Sequence, residues 1–168
     1  GYRRYLSEWH LQGAVSGTYP MGLELDGELV ALAVFGRERF PGAEGPRADW
    51  ELLRYCTKPG TVVVGGLSRL LKAFKRDHGG SIISYADAAL GNGHAYVTLG
   101  FTCEGLTGPD YWYTKNYLER LPRTRFQKRL LPRKLENFDP DLSEWQNMQA
   151  NGFDRIWGAG NYRFVLPA

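Results

Sequence analysis

The chain has 168 residues, 43% of them hydrophobic and 23% charged, with a formal net charge of +3. That is length enough for one domain with a proper core, alone or with a small extension, at a composition ordinary for globular proteins. No window approaches the roughly 18 continuous apolar residues of a membrane span, and no signal-peptide pattern opens the chain.

The two cysteines, Cys56 and Cys103, sit in apolar strand-like contexts without metal spacing. They read as buried free thiols, which fits a cytoplasmic location. A chain that opens on Gly1 is expected to lack its natural N-terminus.

In chain order, residues 2–11 read as a helix with Tyr5, Trp9 and Leu6 inward. Residues 21–36 give two strand-like runs around Asp26-Gly27, a strong hairpin signal. A polar loop with Pro41, Gly42, Gly45 and Pro46 follows, then a strand over 50–57 that Lys58-Pro59-Gly60 ends. The β-branched run Val62–Val64 leads through Gly65-Gly66 into a helix. Leu67, Leu70, Leu71 and Phe74 form its apolar face, and Gly79-Gly80 closes it. Residues 81–87 read as a buried strand, and 93–99 as a short helix ended by Gly100. FTCEGL (101–106) and DYWYTK (110–115) supply the last strands of this unit.

Beyond residue 116 the character changes. Pro122 and Pro132 bracket a basic helical stretch. Asp141 and Glu144 have the spacing of a capping box, opening a helix with Leu142, Trp145 and Met148 inward and Asn151-Gly152 as its stop. The chain closes on a hairpin expected around residues 158–161. The expected architecture is α/β: a mixed central sheet flanked by helices over 1–116, and a small basic α/β extension over 117–168 packed on it.

Two features carry chemistry on their own. Gly65 and Gly66 leave the first-turn N–H groups of the following helix open to a ligand, and those groups with the helix dipole favour a phosphate. A tight strand–helix turn explains the same residues equally well. From Lys115 to Lys134 there are eight basic residues and one acid, Glu119, while the remainder of the chain is net acidic. Tyr111, Trp112, Tyr113, Tyr117 and Phe126 border and interrupt the run. It reads either as a solvated face or as a nucleic-acid surface, with Arg123, Arg125, Lys128 and Arg129 on phosphates and aromatic faces on bases.

The order of elements over 1–116 resembles the GNAT acetyltransferase fold. ELLRYC (51–56) followed by VVGGLSRLL (63–71) looks like that superfamily's fourth strand and pyrophosphate-binding turn. YADAALGNGHAYVTLGF (85–101) looks like its next strand and helix, with Tyr96, Gly100 and Phe101 at the family's Tyr and Gly-Phe positions. Val62 or its neighbours stand where the superfamily usually carries Gln or Arg. Phosphate binding would then rest on main-chain N–H groups, Ser68 and Arg69.

A wider likeness is to phage-encoded GNAT-like proteins, some associated with homing endonucleases. It rests on EWHLQG (8–13), the FG-x-x-R of Phe35 to Arg39, LLRYC, VGGLSRL, ISYAD (83–87), LGF (99–101), YWY (111–113) and the terminal RIW-x-x-GNY-x-FV (155–165). The Trp9-His10 pair, Arg54, Tyr85-Ala86-Asp87 and the later tyrosine also resemble the Mom family of phage DNA-modification proteins.

The resemblance implies an acetyl-CoA-dependent N-acetyltransferase working on DNA with a modified base in the cytoplasm of an infected bacterium, with no metal. Main-chain groups of Tyr55, Cys56 and Thr57 would hold the donor's pantetheine, and Gly65, Gly66, Leu67, Ser68 and Arg69 its pyrophosphate. Asn92 and His94 would lie near the donor. Tyr96 would be the general acid. Asp87 and His10 are candidate bases or acceptor-orienting groups, and Arg54, on a largely buried strand, calls for an anionic partner such as Asp87 or a phosphate. Each has a plain structural alternative: packing for Tyr96, an Asx-turn or helix cap for Asp87, a satisfied histidine for His10. Two other functions remain open, a Mom-like base-modifying transferase with another donor, and a non-catalytic DNA-binding module of a homing system.

Overall fold

The computed structural model describes residues 1–38 and 47–168. Pro41, Gly42, Gly45, Pro46 and Arg39 of the sequence reading lie outside the described residues. The chain divides into two compact units, residues 1–106 with 162–168, and residues 107–161.

In the first unit, helix α1 (Tyr2–Trp9) is followed by strands β1 (Tyr19–Leu25), β2 (Glu28–Gly36) and β3 (Trp50–Thr57). Helix α2 (Gly66–His78), strand β4 (Ile82–Asp87), helix α3 (His94–Thr98) and strand β5 (Thr102–Leu106) come next, and strand β9 (Asn161–Leu166) closes the chain. They build a mixed six-stranded sheet of order β1-β2-β3-β4-β9-β5. The β1–β2 hairpin turns on Asp26 (φ 52°) and Gly27 (φ 80°), the two positive dihedrals that suit a right-twisted hairpin.

Helices cover both faces of this sheet. From Val30 onward β2 is buried at every position, so it reads as a continuous apolar run. Its Ala33 and Phe35 face Leu70, Leu71 and Phe74 of α2, with Phe35 and Phe74 stacked at 4.0 Å. Leu32 and Val34 face Leu6 of α1. Each of these large side chains contributes about 1.5–3 kcal/mol by leaving water. Leu6 is the fully buried residue of α1, with Tyr5 and Trp9 half-buried at its sides.

The second unit holds strands β6 (Tyr111–Thr114), β7 (Leu121–Pro122) and β8 (Asp154–Trp157) in a sheet of order β7-β6-β8, with helix α4 (Glu144–Ala150). Its core is Tyr113, Phe126, Leu131 and Met148.

Several expectations need correction. The boundary after 116 is displaced at both ends. Residues 110–115 do not continue the first sheet; β6 pairs with β7 and β8 instead. The end of the chain is no hairpin, because β8 pairs with β6 while β9 leaves to pair with β5 (Cys103↔Phe164) and to neighbour β4. The second unit is thus an excursion between β5 and β9 of the first.

Val62–Val64 form no strand: Val62 and Val64 are exposed loop residues. The basic stretch makes two short 3-10 segments, Arg123–Phe126 and Lys128–Arg133, rather than an α-helix. Gln127, extended at φ −54°, ψ 138°, interrupts it, and Pro132 removes a donor. The capping box of α4 is Ser143 with Gln146, two residues beyond the expected pair Asp141 and Glu144. Cys103 is exposed on β5, and Cys56 half-buried.

Candidate active site

The site begins with a bulge. The β2–β3 register runs Phe35↔Leu52 and then Val34↔Arg54, so Leu53 is an extra residue on β3. A bulge bends its strand and re-aims the side chains beyond it. Before it, Trp50 and Leu52 face the α2 side; after it, Tyr55 does so instead of Arg54. Leu53 and Cys56 face α1.

The same bend opens the parallel pair beside it. β3 and β4 register at Trp50↔Ile82 and Glu51↔Ile83, and the ladder ends there although both strands continue. Burial changes at the same place: β3 is buried to Leu53 and half-buried from Arg54 to Thr57, and β4 is buried to Ser84 and half-buried from Tyr85 to Asp87. The partly exposed carboxyl ends of these two parallel strands lie where open α/β sheets hold ligands.

Ser84 stands at the point of divergence, 1% exposed. Its hydroxyl lies 3.1 Å from the Leu52 carbonyl and 3.1 Å from the Tyr96 hydroxyl. A serine has one proton and the carbonyl can only accept, so Ser84 donates to Leu52 and Tyr96 donates to Ser84. The Tyr96 ring is fixed by stacking on Phe164 at 5.0 Å and by the edge of Phe101 at 5.3 Å. Burial raises its pKa, opposed by the Ser84 bond and by the nearby Arg54 charge. Tyr96 is therefore a protonated phenol with a positive charge in reach.

Arg54 also acts on His10. Burial first, and Arg54 second, hold the imidazole down at about 4. His10 Nδ1 accepts the Gln12 N–H at 3.0 Å, which assigns the remaining proton to Nε2. Arg54 itself donates from Nη1 to the Leu53 carbonyl at 2.6 Å, at the bulge. Three residues far apart in sequence, His10, Arg54 and Tyr96, thus share one electrostatic neighbourhood. Asp87 occupies an Asx-turn: Oδ1 accepts the Ala89 N–H at 2.9 Å and its carbonyl accepts Leu90 at 3.0 Å.

The glycine pair has two separate causes. Gly65 caps α2 at φ 66° with open space where a side chain would be, so its reason is conformational. A Cβ on Gly66 would lie 2.7 Å from the Tyr55 hydroxyl. Burial raises that hydroxyl's pKa, and the nearby Leu67 backbone acts against the rise. The Gly66 N–H goes to the Val63 carbonyl at 3.0 Å and the Arg69 N–H to Gly65 at 2.9 Å. The Arg69 bond is the first intrahelical one, so among the free first-turn donors Gly66 is engaged within the protein. Ser68 instead lines a groove of about 490 Å³ with Leu71, Lys72, Lys75, Arg76, Leu99 and Leu166.

Thr57 pairs with Ala31 at the open end of β3. Burial raises the Cys56 thiol, so it is no thiolate nucleophile. Asn92 accepts the His94 N–H at 3.1 Å and shapes the entry to α3, with His94 exposed.

The sequence reading misses Ser84 and the Tyr55 side chain, and takes Tyr5 only as an inward helix residue and Tyr85 only as part of the Tyr85-Ala86-Asp87 likeness. The Tyr5 and Tyr85 hydroxyls are buried without a hydrogen-bond partner among the described residues, and burial pushes Tyr5 to about 12. A lone serine inside the apolar run IISYA was the one visible signal.

In the second unit Arg123, Arg125, Lys128 and Arg129 are all exposed. Arg123 reaches Glu144 at 3.3 Å, and Lys128 donates to the Pro140 carbonyl at 2.8 Å. The neighbouring aromatics are less available than their spacing implies. Tyr113 and Phe126 are core residues, and arginines lie over Trp112 (Arg120, 5.6 Å) and Tyr111 (Arg155, 4.3 Å). Among the described residues no helix is long and apolar enough to cross a membrane. No protein-family model matches this chain, and no curated protein matches it.

Proposed function

We propose that the chain is a GNAT-type N-acetyltransferase that uses acetyl-CoA to acylate an amine-bearing modified base in phage DNA. The observation that carries this reading is the opened β3–β4 pair with the Tyr96 hydroxyl at its fork. Beyond the bulge, main-chain groups of Tyr55, Cys56 and Thr57 have left the ladder with β4, and they are the groups offered to the pantetheine arm.

In the transfer, a bond forms between the amine nitrogen and the acetyl carbon, and the carbon–sulfur bond breaks. Tyr96 turns its O–H from Ser84 to the departing thiolate. Arg54 stabilises the phenolate left behind, and Ser84 can swing its proton onto it. With its imidazole held near 4, His10 is too weak to deprotonate an alkylammonium ion but strong enough for the far more acidic nitrogen of the addition intermediate. Its proton-accepting place is therefore after C–N bond formation, with Asp87 orienting the amine. The exposed cations at 123, 125, 128 and 129 are assigned to the DNA backbone.

One observation favours the second reading, a Mom-like transferase with another donor. The Tyr55 hydroxyl stands against the first turn of α2, 2.7 Å from where a Cβ on Gly66 would lie, in space a pyrophosphate would use. Calorimetric titration with acetyl-CoA, followed by mass analysis of DNA carrying an aminoalkyl base, separates the two. Acetyl-CoA binding with a gain of one acetyl group supports the acetyltransferase; no binding leaves the Mom-like reading in its place.

A further inference from the structure

We propose that the second unit holds a single unstacked nucleobase in its pocket beside α4. The pocket has about 370 Å³, at the small end of ligand sites, with room for one base and its sugar. Trp145 and Phe153 give it aromatic walls, and Asn116 and Gln149 place amide groups on its lining. An amide presents a donor and an acceptor side by side, the pattern that reads a base edge.

Two further groups point to a polar planar ligand. Thr114, which lines the pocket, is 1% exposed, and its hydroxyl has no hydrogen-bond partner among the described residues. An orphaned buried hydroxyl is destabilising unless something bonds to it. Asp154 also lines the pocket, and its carboxylate accepts from the Tyr117 hydroxyl at 2.5 Å and the Arg155 N–H at 2.7 Å. Those bonds keep it ionised, with acceptor capacity left for an exocyclic amine.

The rim is held in an unusual backbone conformation. Asn116 and Tyr117 are consecutive non-glycine residues at φ 61° and 56°, a left-handed conformation that the Tyr117–Asp154 bond helps to hold. Lys115 lies over the Phe153 ring at 5.3 Å, placing a cation beside the pocket for the phosphate of the bound nucleotide. The same unit carries the exposed basic run 123–134, for which a neutral ligand such as a sugar has no use.

This rests on the reading that the chain handles DNA, and the test separates the two. The probe is a single-stranded oligothymidylate with one central 2-aminopurine, titrated with the full chain, reading anisotropy for binding and 2-aminopurine emission for stacking. Free 2-aminopurine riboside is the second probe. We expect binding with strong quenching, weakened about fivefold by Gln149→Ala and by Thr114→Val, one hydrogen bond each. Gln149 is exposed, so that variant keeps the test valid if Thr114→Val fails to fold. Quenching with the oligonucleotide alone means the base is taken from a polymer; equal quenching with the riboside means a free nucleoside is the source. Salt-dependent anisotropy with unchanged emission overturns the pocket and leaves the DNA reading standing. Absence of binding by either probe overturns both, and wild-type quenching in both folded variants overturns the pocket.

Discussion

Replacing Tyr96 by Phe removes one oxygen and leaves the ring in place. The stack on Phe164 and the edge contact with Phe101 do not use the hydroxyl. Ser84 keeps the Leu52 carbonyl at 3.1 Å as its acceptor, so no buried donor is orphaned. The structural loss is one hydrogen bond, about 1 kcal/mol, or a fall in Tm of about 2–4 °C for a chain of this size. If Tyr96 protonates the leaving thiolate, the same change slows turnover about 10²–10⁴-fold, about 3–5 kcal/mol of barrier. The two magnitudes do not overlap, which is what makes the substitution informative. Thermal unfolding, calorimetric titration with acetyl-CoA and single-turnover acetylation read them separately. The expected outcome is a folded variant with donor affinity near wild type and a collapsed rate. A wild-type rate would make Tyr96 a packing residue. A much larger loss of stability would refute the account of Ser84 as satisfied by Leu52.

Gly66→Ala should lower the urea midpoint by the equivalent of about 1–3 kcal/mol, because the new Cβ meets the Tyr55 hydroxyl at 2.7 Å; a neutral effect would mean that Tyr55 moves aside freely. Gly66→Val should in addition weaken acetyl-CoA binding, and full affinity in a folded variant would give the glycine pair a purely structural role. His10 has its pKa lowered to about 4 from 6.5 in the folded chain, so between those values the unfolded chain binds more protons. Stability is then fully present above pH 6.5 and is lost as pH falls toward 4, by about 1–2 kcal/mol after allowance for solvent. Urea midpoints across that range should flatten in His10→Gln, and an unchanged slope would disconnect His10 from it. Changing Arg123, Arg125, Lys128 and Arg129 together to Gln should weaken DNA binding and reduce the salt slope by up to about 3.6 for a duplex. Activity on a free modified nucleoside should survive; equal wild-type activity on polymer and nucleoside, without salt dependence, would make the run a solvated face.

Much of the first unit is legible without coordinates. Strand β3 spans the expected 50–57, because Trp50-Glu51-Leu52-Leu53 is an apolar-rich run that Lys58-Pro59-Gly60 terminates. The faces of α2 follow from 3.6-residue spacing, and its limits from glycines that alone take positive φ cheaply. The Asp26-Gly27 hairpin is local chemistry of the same kind. What these share is range: each is decided by residues within one turn or one strand of each other.

The tertiary structure alone decided what depends on distant partners. β9 lies between β4 and β5, a pairing that joins residues some sixty positions apart and leaves no local mark. YWY and FTCEGL look alike as strands, and only their partners place them in different sheets. The Leu53 bulge is invisible in LLRYC, because an extra residue exists only relative to the facing strand. The same holds for the site. Sequence named His10, Arg54 and Tyr96 singly, but a shared field is a property of distance, and so is the Tyr55 hydroxyl that explains why residue 66 has no side chain.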